Sequence, residues 1–160
     1  MDVTRTYETA QYLTFRLDRE LFAVDIVKAR EVLEFTTLTK VPKTPDFMRG
    51  VINLRGNVVP VVDMRLKLGL QQIERTVDTC VVITEVVLDG EQIVLGVLVD
   101  AVQEVLELAG GQVMPPPRMG NVIDTSVIYG VGKRDEEFVI LLDIDKVFPG
   151  TELKEAVAAA

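Results

Sequence analysis

The chain has 160 residues, 48% of them hydrophobic and 26% charged, a balance that supports a packed core and excludes wholesale disorder. The 25 acidic and 17 basic side chains leave a net charge of −8, which repels nucleic-acid phosphates and anionic lipid heads, and no basic run in the sequence overrides it. With no histidine and one cysteine, His-based triads, Cys–His dyads, zinc-finger-type sites, histidine phosphotransfer and an internal disulfide are all excluded.

Residues 1–10 have neither a basic start nor an apolar core, so no signal peptide is read there and a flexible segment is expected. Residues 11–18 alternate Tyr12, Thr14 and Arg16 with Leu13, Phe15 and Leu17, the period of a half-buried strand, and Asp18-Arg19 supplies the turn into a second strand at 20–24. Asp25 is placed to cap a brief helix, because Phe22, Ile26, Ala29 and Leu33 recur at the spacing of one helical face. From Val32 to Thr37 β formers dominate, and Val41-Pro42-Lys43-Thr44-Pro45 is a proline-punctuated loop.

Residues 50–54 and 58–62 read as strands joined across Arg55-Gly56-Asn57, where glycine takes positive φ and asparagine tolerates it. Pro60 lacks a ladder donor and belongs at an edge or a bulge. Asp63 opens a short amphipathic segment at 64–69, and 79–88 with 92–99 form a hairpin about Asp89-Gly90. The apolar stretch 93–99 is closed by Asp100, far short of the about 20 residues a membrane helix needs; cytoplasm is the default compartment. Cys80, inside Cys80-Val81-Val82-Ile83, reads as a small buried hydrophobe. After Gly110-Gly111 and the rigid Pro115-Pro116-Pro117, a last hairpin spans 127–131 and 137–142, and the tail at 151–160 is expected to fray. Many short strands with frequent turns favour small barrels or sandwiches over a parallel sheet.

The chain also repeats itself. Val24-Asp25-Ile26-Val27 and Glu31-Val32-Leu33-Glu34 return as Val99-Asp100-Ala101-Val102 and Glu104-Val105-Leu106-Glu107, with two residues fewer between the blocks. Gly50-Val51 is echoed by Gly130-Val131, and the run ending at Asp63 by the run ending at Asp143. Two copies at this spacing describe paired subdomains rather than a solenoid, and a paired scaffold offers surfaces and a groove, hence binding.

Asp25, Asp63, Asp100 and Asp143 end apolar runs at matching places, where each is expected to cap a short helical turn at about 1 kcal/mol. A phospho-accepting or enzymatic switch using an aspartate such as Asp63 or Asp100 is the alternative, which the β-rich pattern disfavours. Asp143 with Asp145 lacks the further oxygen ligands of a metal site, and Gly130-Val131-Gly132-Lys133 lacks the earlier glycine and the following Ser or Thr of a phosphate loop. No cofactor, metal or catalytic residue is therefore assigned. Arg55 differs: a long cation on a tight turn is well placed to meet a partner's carboxylate.

Residues 47–65, Phe47-Met48-Arg49-Gly50-Val51-Ile52-Asn53-Leu54-Arg55-Gly56-Asn57-Val58-Val59-Pro60-Val61-Val62-Asp63-Met64-Arg65, closely resemble the signature of the CheW family, the coupling proteins of bacterial chemotaxis. Val97 to Leu106, Gly130-Val131 and Leu142 to Val147 resemble the family's later motifs in the same order. The resemblance implies a mainly β fold of two SH3-like five-stranded β-barrels related by pseudo-two-fold symmetry, with a few short helices. It places the domain at 11–150, with one subdomain near 20–76, the other near 77–150, and the strand at 11–18 shared. It further implies a non-enzymatic adaptor that couples methyl-accepting chemoreceptors, through their cytoplasmic tips, to the regulatory domain of the histidine kinase CheA. Nucleic acid and direct membrane insertion have no part in this. Matching the motifs residue by residue assigns partner contact to Glu31, Gly50, Arg55, Gly56 and Val105; Ala29 stands where a larger apolar side chain is expected.

Overall fold

The computed structural model describes residues 9–88, 90–116 and 125–148. Ten strands run through them: β1 (Thr9–Leu17), β2 (Glu20–Asp25), β3 (Ala29–Glu34), β4 (Met48–Leu54), β5 (Asn57–Asp63), β6 (Cys80–Leu88), β7 (Glu91–Val99), β8 (Ala101–Ala109), β9 (Ile128–Arg134) and β10 (Glu137–Leu142). Two single-turn helices, α1 (Met64–Lys67) and α2 (Ile144–Val147), follow β5 and β10.

The strands form two five-stranded sheets, ordered β8-β1-β2-β10-β9 and β3-β6-β7-β5-β4. Exchanging each strand with the one five places along converts one order into the other, so the sequence repeat is a repeat of wiring, and each sheet is one SH3-like barrel. The halves interlock. Each copy gives its first two strands to one barrel and its last three to the other, so the barrels cut across the expected division at 76/77. Asp25 and Asp100, the repeated aspartates, stand where the chain crosses between barrels.

Burial explains the unbroken apolar runs. Along β10, Val139 and Leu141 point into the first barrel with Tyr12, Leu21, Ala23 and Leu108. Ile140 and Leu142 point the other way, into a core shared with Phe15, Phe22, Val62, Val82 and Val97. In the second barrel Val61, Val81 and Ile83 line the interior, while their neighbours Val62 and Val82 join the shared core. Strands buried on both faces read as continuous hydrophobic stretches rather than alternating ones.

Several expectations need correction. The helical face drawn through Phe22, Ile26, Ala29 and Leu33 does not exist: Phe22 lies on β2, Ala29 and Leu33 on β3, and only a 3₁₀ turn, Ile26–Lys28, separates them. Asp25 does cap that turn, its carboxylate accepting from the Val27 N–H at 3.0 Å. Asp63 and Asp143 cap α1 and α2. Asp100 caps nothing, because β8 begins at once at Ala101. The first strand starts at Thr9, inside the segment expected to be flexible; residues 1–8, and the tail expected to fray, lie outside the described residues. Pro60 sits inside β5 opposite Val51, one residue before the parallel pairing with β7 opens at Val61. Cys80 is only partly buried, its thiol donating to the Asp78 carbonyl at 3.1 Å.

Candidate functional site

Leu54 pairs with Asn57 across a two-residue loop. Both loop residues have positive φ, 52° at Arg55 and 88° at Gly56, the pattern of a type I′ turn, whose twist matches that of the strands it joins. Arginine, not asparagine, therefore takes the left-handed position beside the glycine. Asn53 braces the turn, its Oδ1 accepting from the Gly56 N–H at 2.8 Å.

From this tip the Arg55 guanidinium reaches Glu31 on β3, with Nη2 on Oε1 and Nη1 3.5 Å from Oε2. Since β3 and β4 are the two edges of their sheet, the pair latches the second barrel across its open seam. The hydrogen bond to Glu31, then the carboxylate charge, hold the Arg55 pKa above its already high value. Beside the latch lies a depression of about 870 Å³, bordered by Glu31, Arg55, Val58, Pro60, Ile93 and Val94.

The first barrel carries the counterpart. Glu104 on its edge strand β8 accepts from Arg134 at the end of β9, the opposite edge, with Nη1 and Oε1 3.0 Å apart. Each latch is flanked by the same exposed apolar positions. Val32 on β3 is 41% exposed and Val105 on β8 47%, while Val58 on β5 is 65% exposed and Phe138 on β10 59%. The duplication has thus produced two related faces, one per barrel. They are not identical, for Arg134 also meets Glu137 at 3.4 Å, and Glu137 is held by Arg16, its Nη2 2.8 Å away.

The hydrogen bond from Arg16, and then the charges of Arg16 and Arg134, hold the Glu137 carboxyl below the usual carboxylate range against the opposing effect of burial. A folded-state pKa lowered in this way stabilises the fold above the unfolded-state value, and that contribution is lost as pH falls through the folded value. Comparing urea midpoints of the parent and Glu137→Gln is expected to show the full gap near neutrality, closing once the pH drops below the usual carboxylate range.

The structure gathers Glu31, Arg55 and Gly56 at one latch and puts Val105 on the other barrel. Gly50 is not at the surface: a Cβ there would lie 2.7 Å from the Thr39 carbonyl oxygen, so its place is in packing. Glu104, Arg134 and Phe138 escaped the residue-by-residue matching, although the echo of Glu31-Val32 in Glu104-Val105 pointed toward the first of them. The two aspartates considered as phospho-acceptors are committed elsewhere. Asp63 is buried, with Oδ2 2.8 Å from Arg49 and Oδ1 accepting from the Arg65 N–H at 2.9 Å. The Oδ2 of Asp100 accepts from the Asp18 N–H at 2.8 Å and from Arg65 at 2.7 Å.

A family profile described as the CheW-like domain matches residues 11–152. The chain belongs to the CheW-like domain family. It is 36% identical over 143 residues to the chemotaxis protein CheW of Klebsiella aerogenes, covering 89% of this chain and 84% of that one. To the chemotaxis protein CheW of Thermotoga maritima it is 33% identical over 149 residues, covering 92% of this chain and 93% of that one. The crystal structure of the scaffolding protein TtCheW from Thermoanaerobacter tengcongensis is similar with a TM-score of 0.78 and 32% identity, covering 91% of each chain. The CheW-like fold of two interlocked barrels is thus shared with a protein described as a scaffold. Among the described residues no helix is long and apolar enough to cross a membrane.

Proposed function

We propose that this chain is a cytoplasmic, non-enzymatic chemotaxis adaptor that couples methyl-accepting chemoreceptors to the histidine kinase CheA within receptor arrays. The observation that carries the reading is the pair of latched faces on two barrels joined through one core: a single rigid body then presents two docking surfaces. Coupling of this kind typically amounts to 1–3 kcal/mol and needs contacts that differ between the two signalling states. A partner held equally well in both states would transmit nothing, however tight the binding.

Glu31, Arg55 and Gly56 are assigned to one docking face and Val105 to the other; Gly50 supports the first from beneath. Arg55→Glu sets two carboxylates against each other at the latch and reverses the charge offered to a partner. It is expected to weaken binding to the kinase regulatory domain or to the receptor tip at least tenfold, ~1.4 kcal/mol, with an unchanged circular dichroism spectrum. Titrating each partner separately identifies which one the face serves. Parental affinity for both would refute the assignment, and an unfolded variant would make Arg55 a structural residue. Glu31→Ala probes the same face without the reversed charge.

A further inference from the structure

Arg65 is a buried charge that the docking faces do not use. It lies on α1, after the last strand its copy gives to the second barrel, and is 5% exposed. Its guanidinium reaches out of that barrel. Nε donates to the Gln71 carbonyl at 2.7 Å, while Nη1 lies 2.6 Å from Asp18 Oδ1 and 2.7 Å from Asp100 Oδ2. Asp18 is on the β1–β2 turn of the first barrel, and Asp100 is at the crossover from β7 to β8. The position equivalent by the repeat, 80 residues on as Asp143 is from Asp63, is Asp145 on α2. It does the same from the other side with the charge reversed. Oδ2 of Asp145 is 2.8 Å from Lys28 Nζ in the 3₁₀ turn of the first crossover, and Oδ1 accepts from the Val87 N–H of the second barrel at 2.9 Å.

We propose that Arg65 and Asp145 are a matched pair of inter-barrel staples, positioning residues that fix the orientation of one barrel on the other and with it the relative placement of the two latched faces. The shared core between the barrels is apolar, and apolar attraction is itself non-directional, so polar contacts across it add directional constraint to the packing. Charge-assisted hydrogen bonds are directional. Two clusters of them, one at Arg65 and one at Asp145, related by the pseudo-two-fold, constrain both ends of the contact. Asp100 fits this account, since its carboxylate, with no helix to cap, binds the Asp18 N–H and Arg65 instead. The consequence for docking rests on the adaptor reading; the consequence for barrel orientation does not.

The test measures orientation directly. In a Cys80→Ser background, spin labels at Val58→Cys and Phe138→Cys report the inter-barrel distance distribution by pulsed electron resonance, without any partner. Arg65→Lys keeps the charge but loses the planar guanidinium that reaches Gln71 and the two aspartates at once, and Asp145→Ala removes the second staple. Each is expected to broaden or displace the distribution beyond the label's own spread, and the double variant more so. Distributions superimposable on the parent's would overturn the proposal. Should Arg65→Lys fail to fold, Asp145→Ala decides alone, because its ion pair is only partly buried, with the two side chains 31% and 30% exposed. In unlabelled protein, each partner is then expected to bind singly with parental affinity while the three-component complex weakens roughly tenfold, as linked sites held at the wrong geometry lose simultaneous engagement. A ternary complex of parental strength beside a broadened distance would refute the docking consequence while leaving the adaptor reading standing; loss of single-partner binding in the parent would sink that reading instead.

Discussion

Arg65→Met is expected to destabilise the protein by roughly 3–5 kcal/mol, the range for removing one partner of a buried ion pair. Methionine replaces most of the volume, so little of the cost comes from a cavity. What it cannot replace is the cation between Asp18 and Asp100, whose oxygens lie 2.6 and 2.7 Å from Nη1, nor the donor to the Gln71 carbonyl. Asp100 is left largely buried with only the Asp18 N–H for a partner. Asp18 is about half exposed and recovers water, which places the loss toward the lower end. For a chain of this size such a loss lowers the melting temperature by on the order of 10 °C, and a urea titration measures it. The double variant Arg65→Met, Asp100→Asn is expected to regain part of the loss, since it removes the stranded charge. No recovery would show that the arginine acts through its stem and not its head.

The sequence made the strands readable because their signals are local. Alternation at 11–18, the turn residues Asp18-Arg19 and Arg55-Gly56, and the aspartate caps before α1 and α2 each involve neighbours in the chain. The duplication was readable for the same reason, as a shift between two local patterns. What could not be read was the exchange. That β3 pairs with β6 and β8 with β1 depends on contacts about 50 and 90 residues apart, and nothing near either strand records its partner. Hence the division near residue 76, natural for two consecutive copies, does not match the barrels.

Asp100 failed as a helix cap for a reason the sequence did contain. The second copy has two residues fewer between its repeated blocks, so no room remains for the turn that Asp25 caps, and the strand resumes immediately. At the site the difficulty was different. Arg55 and Glu31 were both singled out by family resemblance, yet their ion pair, which makes the two assigned residues a latch, follows only from the barrel bringing the β4–β5 turn opposite β3. The second face was hidden because Glu31 and Glu104 are 73 residues apart while Val58 and Phe138 are 80 apart; no single offset aligns them.

Gly50→Val is expected to cost roughly 2–6 kcal/mol, combining backbone strain of about 1–3 with overpacking of about 1–3. Gly50 lies at the bulge in the β4–β5 ladder with φ 149°, a conformation L side chains avoid. A Cβ would also meet the Thr39 carbonyl oxygen at 2.7 Å and the Leu38 Cβ at 3.0 Å. The oxygen belongs to a backbone that cannot step aside, since Thr39 bonds with Val51 in both directions, at 3.0 and 2.9 Å. Gly130 supplies the control. Its Cβ would strike the Val113 side chain at 2.6 Å and the Met114 carbonyl oxygen at 2.9 Å, but its backbone is not in the positive-φ range, so Gly130→Ala tests crowding and Gly50→Ala tests crowding plus strain. The larger loss is expected at Gly50. Because the residue is buried, partner affinity of the folded fraction should remain parental in Gly50→Ala, with total binding falling only as the folded fraction falls. A weakened affinity at unchanged urea midpoint would restore Gly50 to the docking face.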